Sequence, residues 1–330
     1  MLTTVASDES CLVAQGKQDM SQNKRVGAVA SAASSIGRGL RGFLLTLGAA
    51  AGLLAGLSLP GAAPARAAEA IHPPAVSWSF AGPFGSYDRA QLQRGFKIYR
   101  EVCSSCHALS RVAFRNLSEP GGPGFTEDQV KALAATYQVQ DGPNDAGDYF
   151  ERPGVASDRF PSPFPNEQAA RSANGGAYPP DFSLLAKART YTRGFPTFLF
   201  DIVTLYQEQG PDLIHAILTG YEDAPEGVTV QPGQYYNKFF PGHLIAMPPP
   251  LSNEQVEFPR GEDGRALVPE TVDQYARDVT AFMMWAAEPH LEARKAMGFR
   301  VIIFLAVFAA LLYFTKKKIW ASTHAEEHHA

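Results

Sequence analysis

The chain has 330 residues and a formal net charge of -4, with 29 Lys or Arg residues against 33 Asp or Glu residues. This length supports one or two domains with ordinary cores, and the nearly balanced charge gives no indication of a nucleic-acid partner. Only three cysteines occur, Cys11, Cys103 and Cys106, so little material is available for structural disulfides.

The N-terminal region has the order of a secretory signal. Arg38 and Arg41 precede an apolar run over residues 43–59, and a segment rich in small residues follows over 60–68. A transmembrane helix is the alternative, but the Gly and Ala content and the small residues behind the run favour a signal peptide cleaved after residue 67 or 68. We therefore predict that residues 1–68 are a leader and signal peptide that is removed.

The next segment leads to a cysteine motif. Residues 71–85 are rich in Pro and Gly and are predicted to wrap the domain in extended form, with the aromatic side chains of Trp78, Phe80 and Phe84 covering a hydrophobic surface. An amphipathic helix is predicted over residues 88–101. The motif follows it directly.

The motif is Cys103-Ser-Ser-Cys106-His107. Two cysteines three apart with a histidine directly after them are the attachment signature of a c-type haem, in which each thiol forms a thioether and the imidazole is an axial iron ligand. A zinc half-site, a redox dithiol and a disulfide are the alternatives. No second Cys-x-x-Cys pair is present for zinc, and a redox dithiol belongs beside a βαβ pattern that the flanks do not show.

The middle of the chain is predicted to be helical with long loops. A capping box at residues 126–129 opens a helix to about residue 137, and residues 140–180 are dense in Pro, Gly, Asn and Asp, which predicts a long loop. A short helix is predicted over 181–189. One or two more are expected over 198–218, broken near Gly210-Pro211. Regular strand alternation is scarce, so the domain is expected to be mainly helical.

The C-terminal region is predicted to carry a membrane anchor. A helix is expected over 271–288, and a second one begins after Pro289. Its apolar run, 301–314, is 14 residues long, or about 21 Å of helix, which is shorter than a hydrocarbon core of about 30 Å. Including the apolar residues on both sides gives a sufficient span, and a buried helix of the domain is the alternative.

The charge pattern around this span predicts its orientation. Lys316, Lys317 and Lys318 stand at its C-terminal end, and this end is cytoplasmic by the positive-inside rule. We therefore predict a periplasmic domain over 69–290, a transmembrane anchor over 291–320 and a cytoplasmic tail over 321–330.

A second axial ligand decides between an electron carrier and a protein with an open iron site. The candidates are the methionines and histidines Met247, Met283, Met284, Met297, His72, His215, His243 and His290. Met247 is favoured because Pro248, Pro249 and Pro250 stiffen the loop behind it, and such a loop can hold a weak thioether ligand against iron. His243, in the same loop, is the second choice. Methionine ligation raises the reduction potential relative to two histidines.

Several motifs in order resemble the cytochrome c1 family. After the Cys-x-x-Cys-His motif come Pro-Pro-Asp-Phe-Ser-Leu-Leu-Ala-Lys-Ala-Arg at 179–189, Leu-Thr-Gly-Tyr at 218–221, Tyr-Tyr-Asn-Lys-Phe-Phe-Pro-Gly-His-Leu-Ile-Ala-Met-Pro-Pro at 235–249, and Trp-Ala-Ala-Glu-Pro at 285–289. The resemblance covers essentially the whole of the expected mature chain. It implies a mainly α, class I cytochrome c-like haem domain with long irregular loops and one C-terminal transmembrane helix.

The resemblance also implies site residues. Cys103 and Cys106 match the thioether cysteines of one covalently attached haem c, and His107 and Met247 match its axial ligands. Arg189 occupies the position that meets a haem propionate, a role that suits a guanidinium because it binds a carboxylate in bidentate fashion. The segment 190–212 is longer than in mitochondrial members.

The implied function is that of the haem subunit of a bacterial quinol:cytochrome c reductase, the cytochrome bc1 complex, in the inner membrane. Single electrons would pass from the Rieske iron–sulfur protein through this chain to a cytochrome c acceptor, coupled in the complex to proton translocation. Cytochrome b, membrane lipid and a dimeric complex are further implied partners. A haem peroxidase or gas sensor, and a haem subunit serving another membrane enzyme such as a terminal oxidase, are the competing interpretations.

Overall fold

The structure is a computed structural model that describes residues 71–191, 193–204 and 206–327. The predicted leader and signal peptide, residues 1–68, lies outside these residues. The helices are α1 Arg89–Glu101, α2 Glu127–Ala134, α3 Glu167–Ala173, α4 Leu185–Ala188, α5 Thr197–Thr204, α6 Gln209–Thr219, α7 Val272–Ala287 and α8 Leu291–Glu327. Two antiparallel pairs of short strands join them, β1 Gln138–Asp141 with β2 Phe150–Pro153 and β3 Tyr235–Tyr236 with β4 Leu244–Ile245. The prediction of a mainly helical domain with irregular loops is confirmed.

Helices α1 and α7 form the centre of the domain. Asp88 caps α1 by accepting hydrogen bonds from the backbone N–H groups of Ala90 and Gln91, and Thr271 caps α7. At the crossing, a Cβ atom on Gly95 would lie 2.1 Å from the carbonyl oxygen of Asp278. Only glycine therefore lets the two backbones come this close. The apolar faces of both helices meet in one core, which agrees with the amphipathic pattern predicted for α1.

An ion pair is buried at the same crossing. The Arg94 guanidinium donates two hydrogen bonds to the carboxylate of Asp278, at 2.7 and 3.0 Å, and the Asp278 side chain is fully buried. Burial raises the pKa of Asp278, an effect that the hydrogen bonds from Arg94 oppose. Removing either partner would leave an uncompensated buried group, so the pair fixes how α1 and α7 meet.

The extended N-terminal segment covers the core only in part. Trp78 and Phe80 are buried and stack on each other, with ring centroids 5.3 Å apart. The Trp78 indole Nε1 donates to the buried carboxylate of Asp212 at 2.7 Å, which ties the segment to α6. Phe84 does not follow the prediction, because its side chain is 82% exposed and lies against Phe299 of α8, with centroids 6.1 Å apart.

Two predicted regions differ in detail from the structure. Residues 140–180 contain the end of β1, all of β2 and helix α3 instead of one continuous loop. Helix α5 ends at Thr204, the described residues 206–208 before α6 are not helical, and Gly210 and Pro211 are inside the first turn of α6. Proline is tolerated there because the first turn of a helix has no backbone acceptor for its missing N–H group.

Helix α8 is the candidate membrane span. Residues Leu291–Ala321 are strongly apolar, and the most apolar stretch of this helix is not buried within the protein. Among the described residues this is the single helix that is long and apolar enough to cross a membrane. The prediction of one C-terminal membrane helix is confirmed, and the alternative of a buried helix is excluded by its exposure. The helix continues to Glu327, so most of the predicted tail is helical.

Candidate haem site

The two cysteines lie on a tight turn at the end of α1. The carbonyl oxygen of Cys103 accepts hydrogen bonds from the backbone N–H groups of Cys106 and His107, at 3.1 and 2.9 Å. Both thiols are free of disulfides and half-buried. Burial raises the pKa of the Cys103 thiol to about 12. The thiols are therefore available for covalent attachment on one short loop.

His107 is held in one orientation. Its Nδ1 lies 2.8 Å from the carbonyl oxygen of Pro180, which can only accept, so this nitrogen carries the proton. The ring stacks on Phe182, with centroids 4.2 Å apart, and the Tyr99 hydroxyl donates to the His107 carbonyl oxygen at 3.1 Å. Burial lowers the pKa of His107, although the Pro180 carbonyl and Asp181 oppose this effect. The imidazole is thus neutral at neutral pH, with Nε2 unprotonated and able to bind a metal.

Asp181 fixes the segment that carries Pro180. Its carboxylate accepts from the Ser110 backbone N–H at 3.0 Å, from the Ser110 hydroxyl at 2.6 Å and from the Ser183 backbone N–H at 2.7 Å. Burial raises the pKa of this carboxyl, but the hydrogen bonds from Ser110 and Ser183 outweigh it and hold the pKa below its usual value. The Ser183 hydroxyl in turn accepts from the Arg111 backbone N–H.

This carboxylate therefore links the chain just after His107 to the chain just after Pro180. The role of Asp181 was not predicted from the sequence. Its one signal in the sequence was its position inside the motif 179–189. The two segments that it links lie more than 70 residues apart along the chain, so no local pattern indicates the contact.

Met247 follows β4 in a loop that is tied to α6. The Tyr221 hydroxyl donates to the Met247 carbonyl oxygen at 3.1 Å, and the Asn237 side chain donates to the carbonyl oxygen of Ile217 at 2.7 Å. The Met247 side chain is half-buried. These contacts hold the loop at its base, and the half-buried thioether is the candidate ligand.

Five of the other candidate ligands fit the role less well. His215 is 5% exposed and its Nε2 lies 3.0 Å from Asp273, so it already has a partner. Met283 and Met284 are buried in the core, as expected of helix methionines. Met297 is on the exposed part of α8. His243 has a left-handed backbone with φ of 62°, and its ring stacks on Tyr236.

Arg189 is the C-terminal cap residue of α4, and its side chain is exposed. Among the described residues, no hydrogen bond or ion pair occupies its guanidinium. Next to it, Lys187 is paired with Glu288 at the end of α7. The geometry leaves Arg189 free to bind an anionic group, which a haem propionate would supply.

The donor set fits a c-type haem. Two free thiols and a neutral imidazole with an unprotonated Nε2 lie on one turn, and the methionine in the restrained loop is the candidate for a second axial ligand. A zinc site fits less well, because no cluster of three or more His, Cys, Asp or Glu side chains in the described part of the chain is arranged to hold a metal ion. The arrangement of fold and site is that of a membrane-anchored cytochrome.

Comparison with known families identifies which one. The model of the cytochrome c1 family matches residues 78–323, which is most of the chain and includes the cysteine turn, the Met247 loop and the apolar helix. The chain therefore belongs to the cytochrome c1 family.

Individual relatives agree with this assignment. Cytochrome b/c1 of Bradyrhizobium diazoefficiens is 63% identical over 253 residues, which cover 76% of this chain and 36% of that protein. Cytochrome c1 of Blastochloris viridis is 49% identical over 258 residues, 78% of this chain and 89% of the relative. A mitochondrial relative, the heme protein cytochrome c1-2 of Solanum tuberosum, is 45% identical over 248 residues, 75% of this chain and 85% of the relative.

Proposed function

We propose that this chain carries one covalently attached haem c and transfers single electrons within a quinol:cytochrome c reductase. Cys103 and Cys106 would form the thioethers, His107 and Met247 would be the axial ligands, and Arg189 would bind a propionate. The haem supplies a reversible one-electron couple when bound. The protein holds it, sets its ligands and excludes other ligands from the iron, and no acid or base catalyst is required of this chain.

The orientation of His107 is the observation that carries the proposal. A histidine that ligates iron through Nε2 usually donates its other N–H to an oxygen, which fixes the tautomer and makes the ring a stronger donor. Here the histidine directly after the cysteine pair donates its Nδ1–H to the Pro180 carbonyl oxygen, at 2.8 Å. Neither a redox dithiol nor a disulfide requires a histidine held in one tautomer and orientation at this position.

Membership of the family and the relative named for both cytochromes support cytochrome b as a partner. We further propose that the Rieske iron–sulfur protein donates the electron, that a cytochrome c accepts it, and that the complex is dimeric and moves protons. An acidic surface on the domain supports the proposal that a cytochrome c accepts the electron. Glu222, Asp223 and Glu226 are exposed directly after Tyr221, which contacts the Met247 loop. Such a surface would steer a basic partner to this side of the domain.

The membrane topology belongs to the same proposal. The domain over 69–290 would lie in the periplasm, the anchor over 291–320 would cross the inner membrane, and the end that carries Lys316, Lys317 and Lys318 would be cytoplasmic. Fusion of a reporter that is active only in the periplasm, placed after residue 290 or after residue 327, tests this. Activity is expected in the first fusion and not in the second.

The test of the haem proposal is to purify the full chain in mild detergent and measure haem content and optical spectrum. One haem c for each chain and a six-coordinate low-spin spectrum with a methionine-to-iron band are expected. Replacing Cys103 and Cys106 by alanine should abolish covalent haem. A five-coordinate spectrum would instead support a peroxidase or gas sensor and refute the role of Met247.

A second measurement tests the partners. Cytochrome b and an iron–sulfur protein are expected to co-purify with the chain from membranes of the native host. Recovery with the subunits of a terminal oxidase instead would refute the assignment to a quinol:cytochrome c reductase and favour the competing membrane enzyme.

A further inference from the structure

Helix α5 has three exposed apolar side chains, whereas its acidic side chain is largely buried. Leu199, Phe200 and Ile202 are 45%, 65% and 65% exposed. The Asp201 side chain is only 11% exposed and is paired with Arg193 at 2.7 Å. A helix on a water-facing surface has the reverse polarity, with charged groups outward and apolar groups inward. The exposed side chains Leu199, Phe200 and Ile202 are called the α5 face below.

The chain that follows α5 leads directly to the foot of the anchor. Gln207 and Glu208 line a cavity of about 90 Å³ together with Pro83 and with Arg294 and Lys295 of the first turns of α8. Ile202 is at most roughly 14 Å from Gln207, given two helical rises and three extended residues. Lys295 is about 6 Å along the helix from Phe299. The α5 face therefore lies within reach of the membrane boundary.

A second exposed apolar group lies beside the membrane helix. Phe84 is 82% exposed and contacts Phe299 of the apolar helix. Next to it, the Lys295 ammonium donates to the carbonyl oxygens of Phe80 and Gly85, at 2.6 and 3.1 Å, and so holds this loop against the first turns of α8. Exposed apolar surface thus begins on the membrane helix and continues onto the domain.

We propose that the α5 face and Phe84 rest on the membrane surface, with their side chains in the boundary between lipid headgroups and acyl chains. Exposed aromatic and aliphatic side chains beside a membrane helix are typical of this layer. A lipid surface is favoured over a protein partner because α5 is a helix of 8 residues, whereas a stable protein interface buries about 800 Å² on each side. The segment 190–212 would thus be a second point of attachment to the membrane.

Spin labels on the full-length chain test this proposal. Single cysteines are introduced by Leu199→Cys and Ile202→Cys in a Cys11→Ser background, and the chain is placed in phosphatidylcholine vesicles. Collision of each nitroxide with dioxygen, which concentrates in lipid, is compared with collision with a neutral nickel chelate, which stays in water. Val228→Cys, at an exposed apolar residue of the domain, is the matched control for water. Ile303→Cys, on α8, is the control for lipid, and the unsubstituted parent measures any labelling of Cys103 and Cys106.

We expect the ratio of dioxygen to nickel collisions at residues 199 and 202 to be several-fold higher than at residue 228 and to approach that at residue 303. A ratio equal to that at residue 228 would show that the helix faces water and would overturn the proposal. Low collision rates with both reagents, in vesicles or in the assembled complex, would show that a protein covers the face and would overturn it equally. Circular dichroism of each labelled chain verifies that the fold is retained.

Discussion

Replacing Asp181 by alanine tests how the protein positions His107. The variant loses three hydrogen bonds to a carboxylate, at 2.6, 2.7 and 3.0 Å. Bonds to a charged group contribute about 1.5 to 3 kcal/mol each when buried. Asp181 is only half-buried and Ser110 is exposed, so water replaces part of each bond and about 1 kcal/mol each is a better figure. The expected loss is about 3 kcal/mol, or roughly a hundredfold in the equilibrium constant of unfolding.

Urea unfolding followed by far-ultraviolet circular dichroism measures this loss. Asp128→Ala is the matched control, because the Asp128 side chain is 94% exposed and pairs with Lys131 on the surface. We expect the control to change the free energy of unfolding by less than about 1 kcal/mol. Equal stability of Asp181→Ala and the parent would show that the carboxylate does not hold the loop.

The same variant has an expected electronic effect. A hydrogen bond at Nδ1 makes the imidazole a stronger donor and so favours oxidised iron. A looser Pro180 carbonyl should therefore raise the reduction potential, whereas a purely structural role of Asp181 would leave the potential of the folded protein unchanged. Redox titration of the purified variant separates the two.

Four further predictions follow from the site, the core and the anchor. Met247→Leu should lower the haem potential strongly, since axial ligands set much of a range of about 0.8 V; an unchanged potential in redox titration would direct attention to His243. Arg189→Gln should shift the potential while the pyridine haemochrome content stays the same, and no shift would mean that Arg189 is only a surface residue. Burial, opposed by Asp273, lowers the pKa of His215 below 6.5, so on acidification this histidine binds its proton in the unfolded chain before it does so in the folded one. The free energy of unfolding should therefore fall as the pH drops below 6.5 and level off below the lowered pKa. Urea titrations across that range should show a flatter pH dependence for His215→Phe. A chain ending at residue 296 should be soluble and keep its methionine-ligated spectrum but fail to assemble into a membrane complex, and loss of haem, or full assembly, would contradict this.

Local signals in the sequence were sufficient for the long helices. Asp88 and Thr271 are good helix caps, and the apolar residues behind each recur with helical spacing, so α1 and α7 could be placed within a residue or two. The β1–β2 hairpin could not be predicted, because the side chains of both strands are mostly exposed and show no apolar alternation. Nothing but pairing with each other makes these segments strands.

The candidate site likewise has one part that the sequence predicts and one part that it does not. The Cys103–His107 turn is local, so its chemistry could be predicted from residue type and spacing. The Pro180 carbonyl and the Asp181 carboxylate act on residues some 70 positions away, and such contacts have no periodicity that a single sequence displays. Phe84 is a similar case. A phenylalanine is expected to be buried, and neither its exposure nor its contact with Phe299 of α8 could be predicted from the sequence.

The junction between the domain and the anchor is braced from several sides. The Tyr87 hydroxyl lies within hydrogen-bonding distance of the carbonyl oxygens of Met284 and Glu288 at the end of α7, at 3.2 and 3.1 Å, and the Tyr87 backbone N–H donates to Glu292 on α8. Because α7 also meets α1 at the close contact of Gly95, a continuous chain of packed contacts connects the membrane helix to the cysteine turn at the end of α1.

A redox centre on that turn would stand at a constant height above the bilayer and could not travel toward its partners. The movement needed to collect and deliver each electron would then belong to the proteins on either side. This chain would hold its haem in one place while the electron donor and the electron acceptor move to it and away from it.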